Sequence, residues 1–505
     1  MERNIMKNNL KYFLAAPLLL GMLSCSDDTS DKDQFGNLDN TFKEVTFEKI
    51  YNPDTEKAFK NPYMGWTLST SNGLLYKENS PTYWALQDEA AQSYAGVLYI
   101  RYTWDKYEPA EGVYAWDVDE DFKGLIQGAL DRGLRLALRI IANSKDSGKQ
   151  PAVPQYVLDG SETYTYHAAN DGANQQASPY PDDPFFLEKY TKFIKALGEK
   201  FNDPRIVDYV DCTGLGWWGE EHNIKWLDEN ANHLKTMKTI MKAYKEAFDK
   251  CIVVTNFQRK HANEETLAFE ELNLCARRDG YASQHFPVAQ QQRFAKLFPT
   301  HMLVAESCYS DASTGGITAQ EGGKWPTWRA YYTQVVDEAL QTHANYLDLR
   351  TPAETKIYLN EARDQVKRFV SKGGYRIYPE KLDGSIKDGK LTVNHTWKNL
   401  GVGLLPNNHL GYKYKIAFAL FNDKDELVSK WYSDKVEVSK LVGEDPISAT
   451  DKFELGEIAA GKYQLAVGIV NKNENDSKDI TLAIKYPKVI EGEWVYVSDI
   501  ELKNN

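Results

Sequence analysis

Residues 96–141 read GVLYIRYTWDKYEPAEGVYAWDVDEDFKGLIQGALDRGLRLALRII, and the fold is decided there. The stretch opens on an apolar run, Gly96–Tyr102, and closes on another, Arg135–Ile141. Between them, Phe122–Arg132 sets Phe122, Leu125, Ile126 and Leu130 three and four residues apart, the spacing of one helical face. The rhythm continues in both directions. Apolar runs at Tyr63–Trp66, Val207–Leu215, Ile252–Phe257, Leu272–Ala276 (or on to Ser283), His301–Glu306 and Ala344–Leu349 read as strands. Helical stretches alternate with them: Phe186–Phe201, Asn232–Phe248, Val288–Phe298, Trp328–Gln341 and Thr355–Ser371. Eight strands separated by helices is the α/β pattern of a (β/α)8 TIM barrel. A doubly wound sheet shares the alternation, but no G-x-G-x-x-G fingerprint supports it.

Past Gly373-Gly374 the pattern changes to alternating runs such as Tyr412–Phe421 and Tyr463–Val470, separated by turn-rich links. That is a C-terminal β-sandwich of immunoglobulin-like type, without the Cys…Trp…Cys arrangement of antibody domains. The expected domains are a barrel over 46–374 and the sandwich over 375–505. A chain of 505 residues has room for both. The net charge of −12 makes nucleic acid an unfavourable partner. The 31 Tyr and 12 Trp can stack on sugars or simply fill cores.

The N-terminus is expected to be processed. Arg3, Lys7 and Lys11 precede an apolar run, Phe13–Leu23, too short to span a bilayer but suited to a signal peptide over 1–24. Leu23-Ser24-Cys25 resembles a bacterial lipobox, which implies lipidation of Cys25. Ser26–Asp31 resembles the acidic export tag of Bacteroidetes-type surface lipoproteins. Residues 25–45 then form a tether from the outer membrane, with the protein displayed on the cell surface. Cys212, Cys251, Cys275 and Cys308 remain; an even count permits disulfides, while their apolar surroundings suit buried thiols. No C-x-x-C or His/Cys ligand spacing is present to suggest a structural zinc site.

In a barrel, chemistry sits where strands end at their C-terminal face. The fourth run ends in Thr213-Gly-Leu-Gly-Trp-Trp-Gly-Glu220-Glu221-His222, a sharply turning segment that can carry a glutamate close to a substrate. The seventh ends in Met302-Leu-Val-Ala-Glu306, one glutamate after four apolar residues. Two glutamates so placed are what a retaining glycosidase needs, although each alone fits an ion pair at the rim. Glu221 competes with Glu220. Trp66, Trp104, Trp217 and Trp218 are sugar-stacking walls or core. Asn143, Asn256, Asp279, Tyr281 and Tyr309 end or follow strands where hydroxyl-binding groups are wanted. His222 binds substrate or caps its helix. Glu108 and Glu111 fit a structural loop, Trp325 and Trp328 a lid, and the long insertion 143–184 shapes the mouth.

The segment Gly96–Trp116, with Arg101, Trp104, Glu108-Pro-Ala-Glu111-Gly-Val-Tyr114-Ala-Trp116, resembles the R-x-x-W…EP-x-EG-x-Y-x-W segment of family 42-like glycoside hydrolases in retaining clan A. Gly214-Leu-Gly-Trp-Trp-Gly-Glu-Glu-His222 resembles the G-L-G-x-W-G-E-W-H motif of bacterial proteins of the domain-of-unknown-function 4832 type. Asn61–Trp66 and Gly401–Pro406 suit that group as well. The resemblance implies Glu220 as acid/base, Glu306 as nucleophile, and Arg101 holding the nucleophile ionised. It also implies an oligo- or polysaccharide substrate with β-linkages and no cofactor. The clan places Asn before the acid/base, to bind the sugar 2-hydroxyl; this chain has Gly219. Asn143 or His222 would have to replace it, or the protein binds carbohydrate without turnover.

Overall fold

Ala95–Thr103 buries all nine of its residues, which only a strand covered on both faces can do. Part of the cover on one side is the helix Glu120–Asp131, whose Phe122 ring lies 5.7 Å from that of Tyr102. Asp119 caps it by accepting from the amides of Asp121 and Phe122 (2.9 and 3.1 Å), and the helix buries Phe122, Leu125 and Ala129. The helix Pro184–Phe201 is built alike, capped by Asp183, with proline in its first turn and Phe186, Tyr190, Phe193, Ile194 and Leu197 inward. A computed structural model describes residues 42–70, 79–142, 152–168, 171–228, 231–257, 262–311 and 313–504.

In chain order the strands are β1 (Val45–Ile50), β2 (Gly65–Ser69), β3 (Ala95–Thr103), β4 (Arg135–Ile141), β5 (Thr163–Ala168), β6 (Asp171–Pro179), β7 (Val207–Asp211), β8 (Ile252–Asn256), β9 (Cys275–Tyr281), β10 (Leu303–Ser307) and β11 (Tyr346–Arg350). There follow β12 (Ile377–Lys387), β13 (Lys390–Asn399), β14 (Tyr414–Phe421), β15 (Leu427–Tyr432), β16 (Ile447–Glu454), β17 (Gly461–Asn471), β18 (Ser477–Ile480), β19 (Val489–Ile490) and β20 (Trp494–Leu502). Strands β2-β3-β4-β7-β8-β9-β10-β11 close a parallel barrel, β11 pairing with β2. The eightfold barrel expected from the alternation is therefore present, and the doubly wound sheet is not. The pair β5/β6 is a separate hairpin between the third and fourth barrel strands.

Two antiparallel sheets make the C-terminal sandwich. One runs β1-β12-β13-β16; the other runs β15-β14-β17-β20-β19, with β18 on β17. Val45–Ile50, which lies ahead of the barrel in sequence, thus pairs with the sandwich strand β12. The sandwich closes the barrel floor. Asn273, Thr300 and Asn345 precede β9, β10 and β11, and each contacts it: His409 on the Thr300 carbonyl (2.8 Å) and near that of Asn273 (3.2 Å), and Asn345 Nδ2 donating to Leu404 O (2.6 Å). Tyr99, Tyr209, Val254 and Tyr346 inside the barrel belong to one apolar core with Tyr375, Leu405, Tyr414 and Leu465. These contacts lie at the end of the barrel opposite the mouth.

Cys212, Cys251, Cys275 and Cys308 are free thiols. Burial pushes Cys251 and Cys275 up to about 12, as expected of thiols acting as small hydrophobes. No helix among the described residues is long and apolar enough to cross a membrane. Cys25 lies outside them.

Candidate active site

Alternation along the barrel strands points every second residue inward. On β3 this presents Tyr99 and then, one level nearer the mouth, Arg101; β4 presents Arg139, β7 Asp211 and β9 Arg277. All are buried. Asp211 Oδ2 accepts from Tyr99 OH (2.5 Å) and Arg139 Nε (2.8 Å) and lies 3.4 Å from Arg277 Nε. Buried ions persist only when paired in this way. The arginines are thereby aimed up at the mouth.

Beyond β7 the chain folds back on itself. Thr213, Gly214, Gly216, Trp218, Gly219 and Glu221 all have positive φ. A Cβ at Gly214 would sit 2.2 Å from the Ile140 carbonyl, so glycine is required there. Glu221 N donates to Leu215 O (2.7 Å), and Trp217 N to His222 O (2.9 Å). The two adjacent glutamates part at this turn. Glu221 turns back to accept from Thr213 Oγ1 (2.7 Å), while Glu220 enters the barrel. Asn256, at the end of β8, donates to the Glu220 carbonyl (2.7 Å) and fixes the backbone.

Glu220 Oε1 accepts from three guanidinium groups: Arg101 Nη2 at 3.0 Å, Arg139 Nη1 at 2.8 Å and Arg277 Nη2 at 2.9 Å. Glu306, on β10, accepts at Oε1 from Arg101 Nη1 (2.8 Å) and Arg350 Nη2 (3.3 Å), and at Oε2 from Arg277 Nη2. Arg101 and Arg277 therefore each hold both glutamates. Two oxygens sharing one guanidinium nitrogen stand no more than about 6 Å apart, twice a hydrogen-bond length.

The same contacts set the electrostatics. Burial pushes the Glu306 carboxyl up, but Arg101, Arg277, Arg350 and Arg139 outweigh it and hold it well below the usual carboxylate range. Asp348 and Glu354 also crowd Arg350 (2.5 and 3.1 Å). One guanidinium cannot neutralise three carboxylates, so Asp348 is raised by burial and by Glu306, and Glu354 is pushed up to about 7 by burial and by Asp348.

Glu220 Oε2 faces the other way, 3.8 Å from His222 Nε2, and His222 lies 3.6 Å from Asp279 Oδ2. Burial opposes a charged His222, yet Asp279 and Glu220 raise its pKa. Burial also works against the Asp279 charge, but Arg278 and His222 hold its carboxyl well below the usual range. Trp217, Trp218 and His222 are half-buried, with Trp217 and Trp218 edge to face at 5.7 Å.

The structure thus brings together Glu220, Glu306, Arg101, His222, Asp279, Trp217 and Trp218, with Asn256 behind them. Three expected residues lie elsewhere. Trp66 is fully buried, donates to Val366 O (3.0 Å) and packs on Tyr358 and Phe369, because its place on β2 points it at the outer helices. Trp104 is fully buried among Phe186, Tyr190 and Phe193, and donates to Glu108 (2.8 Å). Tyr281 is buried against Thr342 (2.7 Å). These aromatics are core and not cleft wall. Tyr309 is half-buried at the rim, its hydroxyl on Glu321 (2.7 Å). Trp325 is buried against Tyr331, and Trp328 stacks on Tyr332. Asn143 lies outside the described residues.

Arg139, Arg277, Arg350 and Asp211 escape a search for strand-end motifs. The signal for Arg139 is an Arg set in an apolar run, Leu136-Ala-Leu-Arg139-Ile-Ile, and for Arg277 an Arg directly after the apolar run Leu274-Cys-Ala276. A charge there faces the barrel interior and demands a partner.

No family model matches the chain, and no curated protein matches it in sequence. Among solved structures it is similar to endo-glycoceramidase II from Rhodococcus sp., seen as a lactosyl-enzyme intermediate (13% identity, 79% of this chain and 99% of that chain, TM-score 0.41). It is also similar to endo-1,4-beta-xylanase from Caldicellulosiruptor owensensis (11% identity, 59% and 87%, TM-score 0.37).

Proposed function

We propose that the protein is a glycoside hydrolase that cleaves a β-linked oligo- or polysaccharide with retention, Glu306 acting as nucleophile and Glu220 as acid/base. The observation that carries this is the sharing of Arg101 and Arg277 by both carboxylates. It suits the separation of about 5–5.5 Å used in retention better than the 6.5–9.5 Å that leaves room for a water in inversion.

Hydrogen-bond capacity assigns the reacting oxygens. Glu220 Oε1 is occupied by three donors, and Glu306 Oε1 by two against the single donor, Arg277 Nη2, on its Oε2, so Oε2 of each is the less occupied atom. Glu306 Oε2 attacks the anomeric carbon while a proton on Glu220 Oε2 passes to the leaving oxygen. Glu220 then takes a proton from water, which attacks the glycosyl–Glu306 ester and releases the sugar with its original anomeric configuration. Trp217 and Trp218 offer stacking faces, and His222 and Asp279 offer partners for sugar hydroxyls.

Gly219 has φ +71°, and a Cβ there would lie 3.2 Å from the Ile140 carbonyl. Asparagine is thus disfavoured before Glu220, and the 2-hydroxyl contact falls to another group. A second reading, carbohydrate binding without turnover, is favoured by the same glycine and by the three arginines on Glu306, which damp its nucleophilicity. The affinity with family 42-like and 4832-type proteins, and the lipid anchor at Cys25 in an outer membrane facing outward, belong to the proposal. They rest on sequence motifs.

The test is a panel of aryl glycosides and polysaccharides with the chain lacking residues 1–25, beside Glu306→Gln and Glu220→Gln. Sugar release abolished by Glu306→Gln and cut at least 100-fold by Glu220→Gln is expected. Glycan binding with no release would replace hydrolysis by the second reading.

A further inference from the structure

Glu220, His222 and Asp279 meet at the mouth, each offering one ligand atom, and these atoms all lie within 4.8 Å of one another. They come from two elements, the turn after β7 and the end of β9, so no sequence spacing announces them. His222 Nε2 is 3.8 Å from Glu220 Oε2 and 3.6 Å from Asp279 Oδ2. Both separations are too long for a direct hydrogen bond and close to the spacing of neighbouring ligands around one ion with bonds of about 2.0–2.2 Å. Each carboxylate is oriented from behind. Glu220 Oε1 is held by Arg101, Arg139 and Arg277, and Asp279 Oδ1 by Arg278, leaving Oε2 and Oδ2 turned inward. Outer partners of this kind fix the ligands of metal sites. The His222 ring is set edge-on against Trp218 at 5.9 Å.

We propose that Glu220, His222 and Asp279 bind a divalent transition-metal ion of the Zn²⁺ class, and that its occupancy switches the hydrolase off. One imidazole and two carboxylate oxygens suit such an ion, with a fourth position open to solvent. Inhibition rests on the reading of Glu220 as acid/base: an ion on Oε2 takes the lone pair that carries the catalytic proton. Binding itself does not depend on that reading.

The test is calorimetric titration of the chain lacking residues 1–25 with ZnCl2, without substrate, followed by glycoside assays at rising Zn²⁺. One saturable site is expected. His222→Ala and Asp279→Asn should weaken it at least tenfold, with cooperative thermal unfolding checked for each; His222→Gln serves if His222→Ala does not fold. Cys308→Ser, which removes the nearby thiol, should leave binding unchanged. No saturable binding, or binding that survives both ligand substitutions, overturns the proposal. Zn²⁺ bound through His222 in a protein with no turnover would sink the hydrolase and leave the metal site standing.

Discussion

Arg277 joins the charges that matter. Its Nη2 donates to both Glu220 and Glu306, its Nε approaches Asp211, and it is fully buried. Removing one member of a buried ion network leaves the others uncompensated, at a cost of about 3–5 kcal/mol. Arg277→Met should lower the melting temperature by several degrees and turnover by at least 100-fold. It should also shift the acid limb of the pH–rate profile upward, since Glu306 loses a cation that holds it ionised. An unshifted acid limb would show that Arg277 acts through stability alone. Glu354 makes a separate prediction. Its pKa of about 7 exceeds the ordinary 4.5, so the folded state retains a proton that the unfolded chain releases. Stability should therefore fall as pH rises between those values, by at most about 3 kcal/mol. Glu354→Gln should flatten that slope in urea titrations across the window; an unchanged slope would contradict the assignment.

The decisive element is the turn between β7 and His222. Its glycines are placed by backbone geometry: Gly214 has φ +65°, and its missing Cβ makes room for the Ile140 carbonyl. Gly214→Ala should destabilise the protein by more than about 1 kcal/mol and cost activity, because the clash is with backbone that cannot rotate away. Wild-type stability and rate in that variant would show that the turn adapts. At this scale much was legible in sequence. The barrel strands are short apolar runs, and helices such as Glu120–Asp131 and Pro184–Phe201 carry a three-and-four spacing of apolar residues. Glu220 and Glu306 stood out as polar residues ending such runs. Trp66 and Trp104 stayed open between wall and core, and Tyr281 was placed at the site, because an aromatic near a strand end looks the same from sequence whether it faces the barrel mouth or the outer helices. The arginines were hidden for a related reason, since their partners lie on other strands and pairing across a barrel leaves no local spacing.

Across the whole molecule, the sandwich and the barrel floor share one apolar core, and β1 from ahead of the barrel completes a sandwich sheet. Neither part ends where the other begins. Heating should therefore give a single cooperative transition, and a chain cut after Gly374 should lack a cooperative melt, with Tyr63 and Tyr346 losing their cover. Two well-separated calorimetric transitions would contradict this. The sandwich thus meets the barrel at its floor, at the end opposite Glu220 and Glu306.

In the proposed mechanism Glu306 bonds covalently to sugar, and the most direct measurement is the mass of that bond. The protein would be incubated with 2-deoxy-2-fluoro aryl glycosides, digested, and its peptides sequenced by mass spectrometry. One glycosyl adduct on Glu306, absent from Glu306→Gln, is the predicted result. Turnover with inverted configuration, or an adduct on any other residue, would contradict it.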